Sequence, residues 1–118
     1  MILIVDSGST KTDWIALDNQ GNEVFSTKTL GLNPQMLSNE ILNERIKNNF
    51  DIYNNRENVR KIYFYSAGLG VKSTKERILK VFKSIFKNSD YNVQEDTYAA
   101  VYSVADKGVP AIINILGT

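Results

Sequence analysis

In the stretch DSGSTKTDW, Asp6 is followed by Ser7, Gly8, Ser9, Thr10, Lys11 and Thr12 before Asp13 and Trp14. Two serines, two threonines and a lysine are more functionality than a plain β-turn collects. Hydroxyls, exposed backbone N–H groups and one cation in so small a space suit a bound phosphate. The standard phosphate loops are excluded. Lys11 has no glycine pair ahead of it to make G-x-x-x-x-G-K-[ST], and G-x-G-x-x-G is absent. An apolar run resumes at once after the loop, so the phosphate loop would sit in a β-hairpin rather than before a helix.

Asp6 closes a buried-looking run, Ile2-Leu3-Ile4-Val5, and its carboxylate is placed to hold Mg²⁺ through water, since that ion keeps most of its hydration. Its structural alternative is a turn carboxylate accepting loop N–H bonds. Lys11 would neutralise phosphate charge, or else be a solvated hairpin lysine.

The elements that must position these groups follow from the rest of the chain. At 118 residues there is room for one domain with a real core. With 14 basic and 13 acidic side chains, the charge balance argues for neither nucleic acid nor an anionic membrane. The absence of His and Cys excludes imidazole or thiolate metal sites and leaves carboxylates or lysines as general bases. No basic leader precedes the short apolar start, and no run reaches transmembrane length, so the expected location is cytoplasmic. The chain stops just after an apolar run, AIINILGT, and this end is read as cut.

Asp13–Leu17 and Glu23–Leu30 predict a second and third strand, joined by the turn Asp18-Asn19-Gln20-Gly21-Asn22. A helix is expected from Asn33 as N-cap and Pro34 at the first position, carried by Met36, Leu37, Ile41, Leu42, Ile46 and Phe50. Lys61–Tyr65 is a fourth strand. Ser73-Thr74-Lys75-Glu76 matches a capping box ahead of an apolar stripe at Ile78, Leu79, Phe82, Ile85 and Phe86. Lys75, Lys80, Lys83 and Lys87 fall mostly off that stripe, as a solvated face. Tyr91–Gln94 is a fifth strand, Thr97–Asp106 a small-residue helix, and Ala111–Leu116 a last apolar strand. The order β-β-β-α-β-α-β-α predicts an α/β fold: a mixed five-stranded sheet with helices on both faces. Residues 61–65 and 91–94 should run parallel to the first strand. Trp14, Tyr63 and Tyr65 are read as packing residues.

DSGSTKTDW resembles the first phosphate loop of the actin-like, hexokinase and Hsp70 ATPase superfamily, closest to the branch of N-acetylglucosamine kinases and BadF/BadG-type ATPases. GLNP, YSAGLG, QEDTYAA and ILGT fall in that family's order along the whole chain. The resemblance implies a ribonuclease H-like (actin-like ATPase) domain. Residues 1–118 would form the N-terminal lobe of a two-lobed sugar kinase, ending inside the second phosphate loop.

By the same resemblance, Gly8, Ser9, Thr10, Lys11 and Thr12 bind the phosphates of ATP, joined by Gly117 and Thr118, with Mg²⁺ at Asp6. Asp96 is the general base that accepts the sugar hydroxyl's proton; it also precedes a helix and would serve as its N-cap. Glu95 is its neighbour on the opposite side of the strand, and family position selects Asp96. Asn33, Ser66, Gly68 and Asp96 contact the sugar, with Gly70 nearby. Asn33 as a helix cap and the glycines as a flexible turn remain open alternatives.

The implied activity is ATP-dependent phosphorylation of an N-acetylglucosamine-like amino sugar at its primary hydroxyl. A BadF-type activator ATPase coupling hydrolysis to electron transfer is the enzyme alternative, and an inactive isolated folding unit the other. Expected partners are ATP, a small sugar and the chain's own C-terminal lobe, with no nucleic acid or membrane; a homodimer is left open.

Overall fold

Ile2-Leu3-Ile4-Val5 makes the central strand because β-branched and aliphatic residues on both faces allow burial from both sides. The computed structural model describes residues 1–8, 10–66 and 69–94. In it β1 (Ile2–Ser7), β2 (Lys11–Leu17) and β3 (Glu23–Leu30) form an antiparallel meander. The chain crosses through α1 (Asn39–Lys47) and α2 (Phe50–Asn54) to β4 (Lys61–Ser66), then through α3 (Lys72–Ile85) to β5 (Asp90–Gln94). β4 pairs with β1, and β5 with β4, both in parallel. The result is a mixed five-stranded sheet in the order β3-β2-β1-β4-β5. The helix expected at 97–106 and the strand at 111–116 lie outside the described residues.

The β2–β3 turn forms as its residues dictate. Asp18 Oδ1 accepts from the N–H groups of Gln20 and Asn22, both at 2.9 Å, and Gly21 takes the left-handed φ of 85° that a side chain would resist.

One face of the sheet carries the main core. Leu3, Val5, Trp14, Ala16, Ile62 and Phe64 pack against Leu42 and Ile46 of α1, Ile52 of α2, and Ile78, Val81, Phe82 and Ile85 of α3. Phe82 is the hub: its ring meets Phe64 edge-on at 5.0 Å and stacks on Tyr91 at 6.3 Å, joining α3 to β4 and β5. Each such side chain contributes about 1.5–3 kcal/mol by leaving water. The other face has its own cluster of Ile4, Ile15, Leu17, Tyr63 and Tyr65, and the buried apolar residues of α1, α2 and α3 all belong to the first face. Trp14 is a core residue as expected, its Nε1–H donating to Thr29 Oγ1 at 3.0 Å.

Two helix starts differ from expectation. The first helix does not begin at Pro34: residues 34–37 form a turn, and α1 is capped by Ser38, whose Oγ accepts from Ile41 N–H at 3.3 Å. It also stops before Phe50, because Asn49 turns extended and caps α2 through Oδ1 to Ile52 N–H at 3.1 Å. The Asn49 Nδ2 group then donates to Thr27 Oγ1 at 2.9 Å and Lys28 O at 3.4 Å, fastening the α1–α2 corner to β3. The expected capping box at Ser73 is replaced as well. α3 starts at Lys72 behind Val71, which offers no side-chain cap, and the Thr74 hydroxyl bonds back to Val71 O at 2.6 Å. Among the described residues no helix is long and apolar enough to cross a membrane.

Candidate functional site

Parallel pairing brings the carboxyl ends of β1, β4 and β5 to one end of the sheet, where open α/β sheets hold ligands. Asp6 and Ser7 finish β1 there, Ser66 finishes β4 opposite Ser7, and Lys11 begins β2 at the same end. Asn33 lies just beyond the end of β3. The hairpin loop is closed by Gly8 N–H donating to Lys11 O at 2.8 Å. A Cβ on residue 8 would stand 3.2 Å from that same carbonyl, so a larger residue there would have to push the loop open by a few tenths of an ångström. Thr10 and Lys11 are exposed on its rim.

Thr12 faces the other way. Fully buried, its hydroxyl lies 3.1 Å from Ser7 Oγ and 3.2 Å from Leu30 O, within hydrogen-bonding reach of both. Ser7 Oγ also accepts from Leu32 N–H at 3.1 Å, and Thr10 O accepts from Gly31 N–H at 2.9 Å. Each hydroxyl has one proton to give, so Ser7 and Thr12 together complete a short polar relay between the hairpin loop and the segment leading to Asn33. The side chain read as a phosphate contact is therefore the interior tie of the loop.

Asn33 caps a turn rather than a helix. Its Oδ1 accepts from Gln35 N–H at 2.9 Å and its carbonyl from Met36 and Leu37 N–H, both at 3.1 Å. Its Nδ2 has no hydrogen-bond partner among the described residues. Ser66 is buried and Gly70 exposed. Ser9, Gly68, Glu95, Asp96, Gly117 and Thr118 lie outside the described residues.

Sequence reasoning passed over Asp13 as a strand residue. In the hairpin register Asp13 stands opposite Asp6, and alternation puts both carboxylates on the face of Ile4, Ile15 and Tyr65. Lys28, opposite Asp13 on β3, approaches it at 3.8 Å. A turn centred on residues 8–11 fixes the pairs 7–12 and 6–13, and that symmetry was the available signal. Tyr65 continues the row beside Asp6; its hydroxyl is buried with no hydrogen-bond partner among the described residues, and desolvation pushes its pKa up to about 12. Surface clefts of about 460 and 480 Å³ lie among the ends of the helices, around Lys47, Tyr53 and Arg56.

Fold and site together define an α/β domain compatible with the actin-like ATPase fold, its candidate site at the strand carboxyl ends. No protein-family model matches the chain, and no curated protein does. A solved structure from Porphyromonas gingivalis, named as a "putative N-acetylglucosamine kinase", superposes with a TM-score of 0.72 at 28% identity over 82% of this chain. The chain spans 35% of that protein's length. The resemblance to the N-terminal lobe of an N-acetylglucosamine kinase-like protein thus holds in the backbone as well as in the motifs.

Proposed function

We propose that this chain is the N-terminal lobe of an ATP-dependent sugar kinase acting on the primary hydroxyl of an N-acetylglucosamine-like amino sugar. The observation that carries this reading is the backbone likeness to a kinase-named protein, with Asp6 and the tight Gly8–Lys11 loop at the strand carboxyl ends. The likeness lends nothing to the activator-ATPase alternative. The rest of the protein would supply the second wall of the cleft, including the adenosine site.

Phosphoryl transfer is mostly positioning and charge stabilisation. The sugar oxygen bonds to the γ-phosphorus, the bond from that phosphorus to the β,γ-bridging oxygen breaks, and ADP leaves. Asp96 takes the hydroxyl proton as the oxygen attacks. With the Gly8 N–H held by the Lys11 carbonyl, Ser9 and Thr10 would offer backbone N–H groups to the phosphates, and Lys11 would offset their charge. Oxygen ligands suit Mg²⁺, and paired carboxylates at Asp6 and Asp13 fit it; when bound, it neutralises phosphate charge. Asn33 and Ser66 would hold the sugar.

Incubating the full-length protein with ATP, Mg²⁺ and a panel of hexoses and amino sugars tests this. The expected product is a sugar monophosphate, identified by mass spectrometry, with one ADP formed per phosphate transferred. ADP formation that ignores every sugar would overturn the reading.

A further inference from the structure

The turn that presents Asn33 is held from a distance. Its internal bonds all converge on Asn33 itself, while Gln35 and Met36 project into solvent. The outer carbonyls find their donor in α3. Arg77 Nη1 donates to Pro34 O at 2.5 Å, Nη2 to Leu37 O at 2.6 Å and Nε to Asn39 Oδ1 at 3.1 Å. The guanidinium is half-buried, and these bonds span 38 to 43 residues of sequence. Behind the turn, Arg45 Nη1 fixes Gly31 O at 2.6 Å.

A planar fork with fixed donors can grip separate acceptors at once, which a lysine ammonium on a flexible stem cannot reproduce. Bonds with a charged donor are also the stronger kind. Leu32, buried in the core, and Leu37, packed against it, anchor the segment inward, and Arg77 supplies the polar contacts that the turn's own backbone lacks.

We infer that Arg77 is a positioning residue: it fixes the 33–39 turn and so sets the affinity of the site for its polyhydroxylated acceptor, without touching the nucleotide loop. The ligand half of this inference rests on the sugar-kinase reading; the grip on the turn rests on the hydrogen bonds alone.

The test uses the full-length protein with Arg77→Met, which keeps the apolar stem, and Arg77→Lys, which keeps the charge. Arg60→Met is the control, since Arg60 bonds to Glu57 O at 2.8 Å, at the far end of β4 from Ser66. Hydrogen exchange of a peptide covering residues 33–39 should quicken in both Arg77 variants and not in the control. The sugar KM should rise roughly 10- to 100-fold, as expected for losing charged hydrogen bonds and placement, with kcat and the ATP KM within about twofold. Unchanged exchange would overturn the positioning role. Faster exchange with an unchanged sugar KM, or equal loss for ATP, would overturn the link to the acceptor. A wild-type protein that phosphorylates no sugar would sink the function reading and the ligand half with it, while exchange still decides the grip.

Discussion

Asp6 and Asp13 stand directly opposite one another across β1 and β2, on one face of the sheet. Cβ atoms of such pairs are about 4.5–5.5 Å apart, and like charges placed so repel. The Lys28 ammonium, largely exposed, stands 3.8 Å from Asp13. A divalent cation held by the two carboxylates would relieve such repulsion.

Asp6→Asn and Asp13→Asn should each raise the Mg²⁺ concentration for half-maximal kinase activity, by roughly the 10- to 100-fold seen when metal-site partners are lost. Excess Mg²⁺ should restore part of the rate. Without metal, Asp13→Asn should melt no lower than wild type. An Mg²⁺ titration matching wild type in both variants would remove the carboxylate pair from the metal site.

Ser7→Ala should destabilise the fold by about 1–3 kcal/mol, because it strands a buried Leu32 N–H and one side of the Thr12 hydroxyl. Urea denaturation measures this directly. A loss below ~0.5 kcal/mol would mean that water replaces the Ser7 hydroxyl, on the scale of a modest net hydrogen bond.

Asp96→Asn should separate catalysis from capping. Asparagine caps a helix about as well as aspartate, so a cap role predicts a stability change well under ~1 kcal/mol. Sugar phosphorylation should still fall by roughly 10²- to 10⁴-fold, the contribution of a positioned base. A thermal melt paired with kcat decides it, and near-normal turnover would redirect attention to Glu95.

The Tyr65 hydroxyl gives a pH-dependent outcome. Desolvation first, and Tyr63 second, raise its pKa to about 12 from the ordinary 10.0, so the folded state holds the proton more tightly than the unfolded chain. Its contribution is complete below pH 10 and is lost as the pH climbs toward 12. Tyr65→Phe removes a buried hydroxyl that has no partner among the described residues, so it should be neutral or slightly stabilising at pH 7 and flatten the alkaline loss between pH 10 and 12. Identical alkaline slopes for the two proteins would contradict this.

The strands were legible because each is a short apolar run bounded by turn chemistry, and Ile2–Val5 announced a strand covered on both sides. Helix starts were less so. Asn33-Pro34 carries the local signals of an N-terminus, yet Asn33 spends its side chain on a turn, and Ser38 makes the cap instead. The break at Asn49 was hidden because Ile46 and Phe50 keep a helical spacing across it. At the site, Asp6, Gly8 and Lys11 could be read from composition. The inward turn of Thr12 could not, since it depends on Leu30 and Ser7 meeting it through the sheet. Arg77 was invisible for the same reason, having all its partners on a distant segment.

The outermost strand, β3, ends where Asn49 takes the Lys28 carbonyl and Arg45 the Gly31 carbonyl. An exposed strand edge is a template on which other chains can stack into fibrils. Here the chain's own asparagine and arginine occupy backbone acceptors that an incoming strand would need, and Lys28 adds a charge to bury. Residues that join α1 and α2 to the sheet thereby also act as gatekeepers, biasing crowded copies of the protein toward remaining separate rather than polymerising edge to edge.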